Sequence, residues 1–253
     1  MIRRVLLVLL VLLVLLLAVA ATLAFAPAQL LVNAVQARVP DLYLSSVAGS
    51  VWRGGIGEVV YRGRALGSLR WRLYPSALFA LRLRADVEAR GDWGSAESQI
   101  WRSVSALGVS QLRSELPAYY LAGVFAVPEL RPLGRIRVAI HAAELRDHAL
   151  VVLVGDAVWA DAALAGSASA DLGTLRGRLL LDAPNAASVV LDDDGGPLDV
   201  DGQLWLSPLG YSGTVRLSAR DPALLPALQW IGKPAASGAR ELRMQGLWYG
   251  AKP

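Results

Sequence analysis

The chain contains no cysteine in 253 residues, which excludes disulfides, thiolate metal sites and cysteine nucleophiles. It is also poor in histidine and lysine. His141 and His148 are its only histidines, and Lys233 and Lys252 its only lysines. Two histidines with no third ligand at metal-site spacing exclude the common zinc motifs. The net charge of +4 is therefore carried almost entirely by arginine. These arginines alternate with apolar residues, as on the wet face of a sheet, and form no basic stripe with interleaved aromatics. Nucleic acid is not an expected partner. No Gly-x-Ser-x-Gly elbow, glycine-rich phosphate loop or general acid/base pair is legible. The sequence thus offers no catalytic residue, no cofactor-binding residue and no metal ligand.

The N-terminus has what the rest lacks, a long uncharged run. Val5 to Ala26 is 22 residues with no charge and a single hydroxyl, Thr22. As a helix it would reach about 33 Å, against a hydrocarbon core of about 30 Å. Arg3 and Arg4 precede it, and the first charge beyond it is Arg38. That asymmetry predicts a cytoplasmic N-terminus with everything after the span across the membrane. A cleaved signal peptide is the competing reading, because Ala24-Phe25-Ala26 resembles a small-x-small cleavage site. The run is longer than an ordinary signal core, and Pro27 would make a poor scissile bond. Retention as an anchor is expected.

The remainder predicts a mainly β fold, a largely antiparallel sheet, sandwich or groove with one or two short helices. Period-two alternation marks Leu69-Trp71-Leu73, Ile136-Val138-Ile140, Val215-Leu217-Ala219 and Leu242-Met244, each interleaved with polar residues. Phe79 to Glu88 is the clearest run, with Leu81 and Leu83 expected buried and Arg82 and Arg84 exposed. Leu150 to Val154 is apolar throughout and reads as a strand buried on both faces. Further strands are expected at Ser45–Trp52, Gly57–Arg62, Leu175–Leu181, Ala187–Leu191 and Val200–Leu206. Turn signals stand at Arg53-Gly54-Gly55, at Asp182 to Asn185 and at Asp192 to Pro197. The last has a calcium-like look but lacks the spaced oxygens of a calcium loop, so an acidic hairpin turn accounts for it.

Helix is expected in three places. Gln29 to Val39 has helical spacing and would lie at the membrane surface. Ser110 to Ala122 reads as partly helical. Pro222 to Ile231 follows an Asp221 cap and stops at Gly232. The chain divides into a cytoplasmic tip and anchor over 1–26, a helical juxtamembrane linker over 27–42, and an external β-rich domain over 43–253. Glycine followed closely by tryptophan recurs at Gly49–Trp52, Gly155–Trp159, Gly202–Trp205 and Gly246–Trp248. Recurrent strand architecture explains this repeat; a row of tryptophans lining an amphipathic groove is the sharper alternative.

Several of these segments resemble the type II secretion system protein N family. The resemblance begins at Val47-Ala48-Gly49-Ser50-Val51-Trp52-Arg53-Gly54 and continues through Gly67-Ser68-Leu69-Arg70-Trp71-Arg72-Leu73 and Pro75-Ser76-Ala77-Leu78. Gly155 to Ala163 looks like the family's second tryptophan strand. Ala227 to Pro234, Gly238 and Gly246-Leu247-Trp248 look like its closing helix, turn and final strand. Between Gly94 and Pro132 the likeness is one of pattern. The resemblance implies a bitopic inner-membrane protein with a periplasmic β-rich domain. Such a protein would have no enzymatic role and would contact other components of the secretion machine. The family is also distantly similar to the AsmA-like envelope proteins, which implies lipid as an alternative partner.

Overall fold

The computed structural model describes residues 25–121, 130–166, 169–229, 231–235 and 238–247. The expected span Val5–Ala26 lies outside these residues except for Phe25 and Ala26, as do Ala122, Trp230 and Trp248. Among the described residues no helix is long and apolar enough to cross a membrane. Two compact units divide the chain, Met1–Asp92 and Trp93–Pro253. In each, the strands form one open antiparallel layer with few helices, so the fold is mainly β, and neither unit is a sandwich.

The first unit has a helix α1 (Ala28–Gln36) and strands β1 (Leu42–Gly49), β2 (Arg53–Tyr61), β3 (Arg64–Leu73) and β4 (Leu83–Gly91) in sequential order. On α1, Ala28 and Val32 stand one turn apart and are buried against Ile56 and Trp71. Of the helix expected over Gln29–Val39, Gln29–Gln36 is helical and Ala37–Val39 is not, and one side of the helix covers the sheet. The turn signal at Arg53-Gly54-Gly55 is displaced: these residues begin β2. The chain reverses earlier, where Gly49 has φ +90 and Ser50 N–H donates to the Arg53 carbonyl at 2.9 Å. Gly54 is needed for another reason. A Cβ there would run into the Trp71 ring, whose Nε1–H donates to the Val51 carbonyl at 2.9 Å.

The strand expected over Phe79–Glu88 forms only from Leu83. Pro75 to Ala80 is a 3-10 turn, opened by the fixed φ of Pro75 and closed by Leu81 at φ +53. The left-handed residue breaks the alternation, so Leu81 is 79% exposed and Leu83 48% exposed. Both were expected inside.

The second unit consists of β5 (Gly94–Arg102), β6 (Ala106–Pro117), β7 (Leu130–Arg146), β8 (Ala149–Gly166), β9 (Ala170–Ala183), β10 (Ala186–Asp193), β11 (Leu198–Leu206), β12 (Gly210–Ala219), β13 (Lys233–Pro234) and β14 (Arg240–Leu247). Neighbours in sequence are neighbours in the sheet through β12; β14 then pairs with β12, and β13 lies on the far side of β14. Alternation holds on β7, β12 and β14, where Ile136, Val215 and Leu217 are buried and Arg135, Arg137 and Arg216 exposed.

Three expectations are corrected here. Ser110–Pro117 is strand, and only Ala118–Leu121 is a 3-10 turn. Leu112 and Leu116 stand four apart, a spacing that suits helix or strand. Pairing with Ile140 and Ile136 decides for strand. Leu150–Val154 is half-exposed rather than doubly buried, because β8 enters the core only through its later residues Trp159, Ala162 and Leu164. The helix expected over Pro222–Ile231 is a 3-10 turn, Pro222–Leu224, followed by one α-turn, Leu225–Leu228. Its cap is as expected: the Asp221 carboxylate accepts from Ala223 N–H at 2.9 Å.

The β8 core residues also change parity, from Trp159 to Ala162 and Leu164. Asp161 sits between them at φ +50, and the register with β9 shifts there. This bulge keeps an apolar face inside while the strand bends.

Candidate functional site

The inner face of the second unit encloses an apolar cavity of about 390 Å³. Its walls run from Ile136 on β7 through Trp159 on β8 and Val200 on β11 to Met244 on β14. Ile136 of β7 shares one buried cluster with Val215 and Leu217 of β12, five strands further on, so the sheet bends its inner face around the cavity. Apart from Arg176, Asp192 and Tyr211, the walls are aliphatic or aromatic hydrocarbon and glycine.

One end of the cavity is closed. Leu224, Leu228 and Ile231 are buried in the same cluster as Leu198 and Leu217. The segment that carries them follows β12 directly. Arg240 holds its far end by donating to the carbonyls of Gln229 at 2.9 Å, Ile231 at 2.9 Å and Gly232 at 2.7 Å. Burial falls along β11 away from this plug: Leu198 and Val200 are buried, Leu204 and Leu206 half-buried. Tyr211 and Met244 are also half-buried. The chemistry available is mainly that of hydrocarbon contact, with Arg176 and Asp192 the charged residues of the lining.

Beside the plug, the acidic turn is tied down by an arginine that the sequence did not single out. Arg220 donates to both Asp193 oxygens, to Asp199, and to the carbonyls of Gly196 and Leu198. Asp193 also accepts from Gly195 N–H at 2.7 Å and Val200 N–H at 3.0 Å. The Arg220 hydrogen bonds lead in lowering the Asp193 carboxyl from its ordinary 3.8 to about 2, with partial burial opposing them. The acidic run is thus a structural hairpin turn.

The outer face is a lattice of opposed charges. Glu97 faces Arg113, Glu115 faces Arg137, Asp156 faces Arg178 and Arg216 faces Glu241 across neighbouring strands. His141 stands here, exposed, with Nε2 2.8 Å from Asp156. His148 lies in the turn between β7 and β8, so the two histidines do not form a site. Among the described residues no group of three His, Asp or Glu side chains is placed to hold a metal ion.

Among the described residues, the tryptophans of the repeat differ in burial. Trp71 and Trp159 are buried, whereas Trp205 is 49% exposed. Both buried indoles bond backbone: Trp159 Nε1–H donates to Leu133 carbonyl at 2.8 Å, next to Gly134 at φ +95. Among the described tryptophans of the repeat, only Trp159 lines the cavity. The cavity itself was not legible, because curvature depends on bulges such as Asp161.

Residues 40–243 match the family described as "Type II secretion system (T2SS), protein N". A protein named type II secretion system protein N from Klebsiella pneumoniae is 27% identical over 232 residues, covering 88% of this chain and 89% of the relative. One of the same name from Vibrio cholerae serotype O1 is 33% identical over 85 residues, covering 33% of this chain and 32% of the relative. Neither name is that of an enzyme. No solved structure matches significantly. The agreement spans both units, from the strand before the Gly49 turn to the final strand β14, and the chain belongs to the type II secretion system protein N family.

Proposed function

We propose that this protein is an accessory structural component of the type II secretion machine in the bacterial inner membrane. Val5–Ala26 anchors it, the N-terminus is cytoplasmic, and residues 43–253 lie in the periplasm, where they contact other components of the machine. The family match over residues 40–243 carries this reading. The charge asymmetry of Arg3 and Arg4 against an uncharged span supports the topology. The role requires no enzymatic activity. Deleting the protein should lower or alter release of type II substrates, and the full-length chain should restore it. A chain lacking the anchor should restore it less well at equal abundance, because the anchor raises local concentration near membrane partners. Unchanged secretion in the deletion strain, with the outer membrane intact, would overturn the reading.

A second reading is favoured by the cavity. Its volume and hydrocarbon walls suit one acyl chain, as in an AsmA-like lipid-handling protein. Mass spectrometry of lipids retained by the purified full-length protein tests it. A retained lipid lost on Leu204→Trp would support it, and equal retention by both proteins would remove it.

A further inference from the structure

The 3-10 turn between β3 and β4 exposes apolar side chains that a soluble surface would not present. Phe79 is 96% exposed, and Leu78, Leu81 and Leu83 beside it are also exposed. Such a cluster marks a contact surface. Its place in the fold indicates with what. The Ala26 carbonyl accepts from Val51 N–H at 2.9 Å, and the Trp52 carbonyl accepts from Leu73 N–H at 2.7 Å. Two hydrogen-bonded spacings, about 10 Å, therefore separate the end of the apolar N-terminal run from Leu73, two residues before the turn. Both lie at the same end of the first unit's sheet. Phe25 and Leu30, at the entry to α1, are exposed there too.

The exposed charges at that end are arginines. Arg53 and Arg72 are cross-strand partners, and Arg82 and Arg84 follow the turn; all four are exposed. Asp86, half-buried on β4, is the cross-strand partner of Arg72 and accepts from the Tyr74 hydroxyl. Exposed apolar side chains on a turn flanked by arginines complement a bilayer surface, with hydrocarbon below and anionic phosphates above. A protein partner would need no such match to the anchor's exit point.

We propose that the Pro75–Leu83 turn is a second membrane contact. Phe79, Leu78 and Leu81 enter the lipid interface, and the arginines lie at the phosphate level, fixing the first unit against the bilayer. This rests on Val5–Ala26 spanning the membrane. It would hold the first unit in one orientation, which a single flexible tether would not do.

The absence of cysteine makes the test direct. Full-length Ala80→Cys carries a unique thiol at an exposed position of the turn and leaves Phe79 and Leu81 in place. It is labelled with nitrobenzoxadiazole and reconstituted in phosphatidylethanolamine–phosphatidylglycerol vesicles. Tyr43→Cys is the control: it is exposed and lies about 23 Å away along β1 from Ser50. Flotation with the vesicles reports the anchor separately. The expected result is flotation of both proteins, with emission at position 80 shifted to the blue and quenched by lipid-borne spin labels several-fold more than at position 43. Adding Phe79→Ser and Leu81→Asn should reverse the quenching without loss of fold, since both side chains are exposed. Flotation with equal quenching at positions 80 and 43 would overturn the proposal and leave the anchor standing. Shielding of position 80 from iodide without lipid quenching would place a second copy of the chain over the tip, and also overturn it. Failure to float would overturn the anchor and the proposal with it.

Discussion

Arg220 grips Asp193 with both terminal nitrogens and thereby closes the acidic turn onto the start of β11. The pair stands 27 residues apart in sequence, and Arg220 also reaches the Asp199 carboxylate, the Gly196 carbonyl in the turn and the Leu198 carbonyl at the start of β11. It fixes the hairpin next to the closed end of the cavity.

The pH dependence follows from the lowered Asp193 carboxyl. A carboxylate whose folded value lies below its ordinary one stabilises the fold fully above the ordinary value. That contribution fades as pH falls through the folded value. Here the window runs from about 4 down to about 2. Asp193→Asn should therefore be less stable than the parent protein at pH 6, and the gap should narrow steadily as pH is taken towards 2. Urea unfolding of the full-length protein in detergent at a series of pH values measures it. A gap independent of pH would refute the role assigned to this carboxylate.

The two buried indoles predict a graded pair of effects. Trp71→Ala empties the core of the first unit, where Ala28, Val32 and Ile56 pack, and should cost about 3–5 kcal/mol. Trp159→Phe keeps most of the ring but leaves the Leu133 carbonyl without its donor, which should cost about 1 kcal/mol. Gly54→Val drives a side chain into the Trp71 ring and should cost about 1–3 kcal/mol. Chemical denaturation midpoints order the three. A neutral Gly54→Val would contradict the close approach.

A third prediction separates what alternation shows from what it hides. Leu217 and Leu83 read alike in sequence, each an apolar position beside arginine. Leu217 is buried in the second unit's core, while Leu83 is exposed. Leu217→Asp should cost on the order of 3 kcal/mol or more, a large part of a domain's stability. Leu83→Asp should stay within about 0.5 kcal/mol. Equal destabilisation by the two changes, measured by thermal unfolding, would contradict the placement of the Pro75–Ala80 turn.

That contrast shows how far the fold was legible. Strand identity followed from side-chain alternation wherever the backbone stays extended, as on β3, β7, β12 and β14. It failed where one residue takes a left-handed conformation. Leu81 does so, and it is not glycine. A leucine in that conformation has no sequence signature, so the amphipathic pattern reads straight through the turn. Long-range pairing explains the other differences. Ser110–Pro117 is strand because β7 offers it a partner. The cavity is the product of many small bends, which no local window contains. The role of Arg220 depends on the β11–β12 hairpin carrying it back to Asp193.

Arg240 predicts a local effect on the plug. A short helical segment leaves its last carbonyls without backbone partners, and a basic side chain can satisfy them. Arg240 does this for Gln229, Ile231 and Gly232 from the first residue of β14. The segment's own bonds near this end are modest: Gln229 N–H to Leu225 carbonyl at 3.2 Å and Ile231 N–H to Leu228 carbonyl at 3.0 Å. Arg240→Met keeps the aliphatic stem and removes the donors, so Leu228 and Ile231 should leave the cavity end more often. Three charged hydrogen bonds, weakened by partial exposure, should together hold the segment by about 1.4 kcal/mol, or roughly 10-fold in opening. Hydrogen exchange should therefore quicken about 10-fold at the Gln229 and Ile231 amides. The β11–β12 ladder, held by its own register from Leu198–Ala219 to Leu206–Tyr211, should exchange as before. Faster exchange across that ladder as well would mean that the plug and the sheet open as one unit, and that Arg240 stabilises the whole second unit rather than closing one end of its cavity.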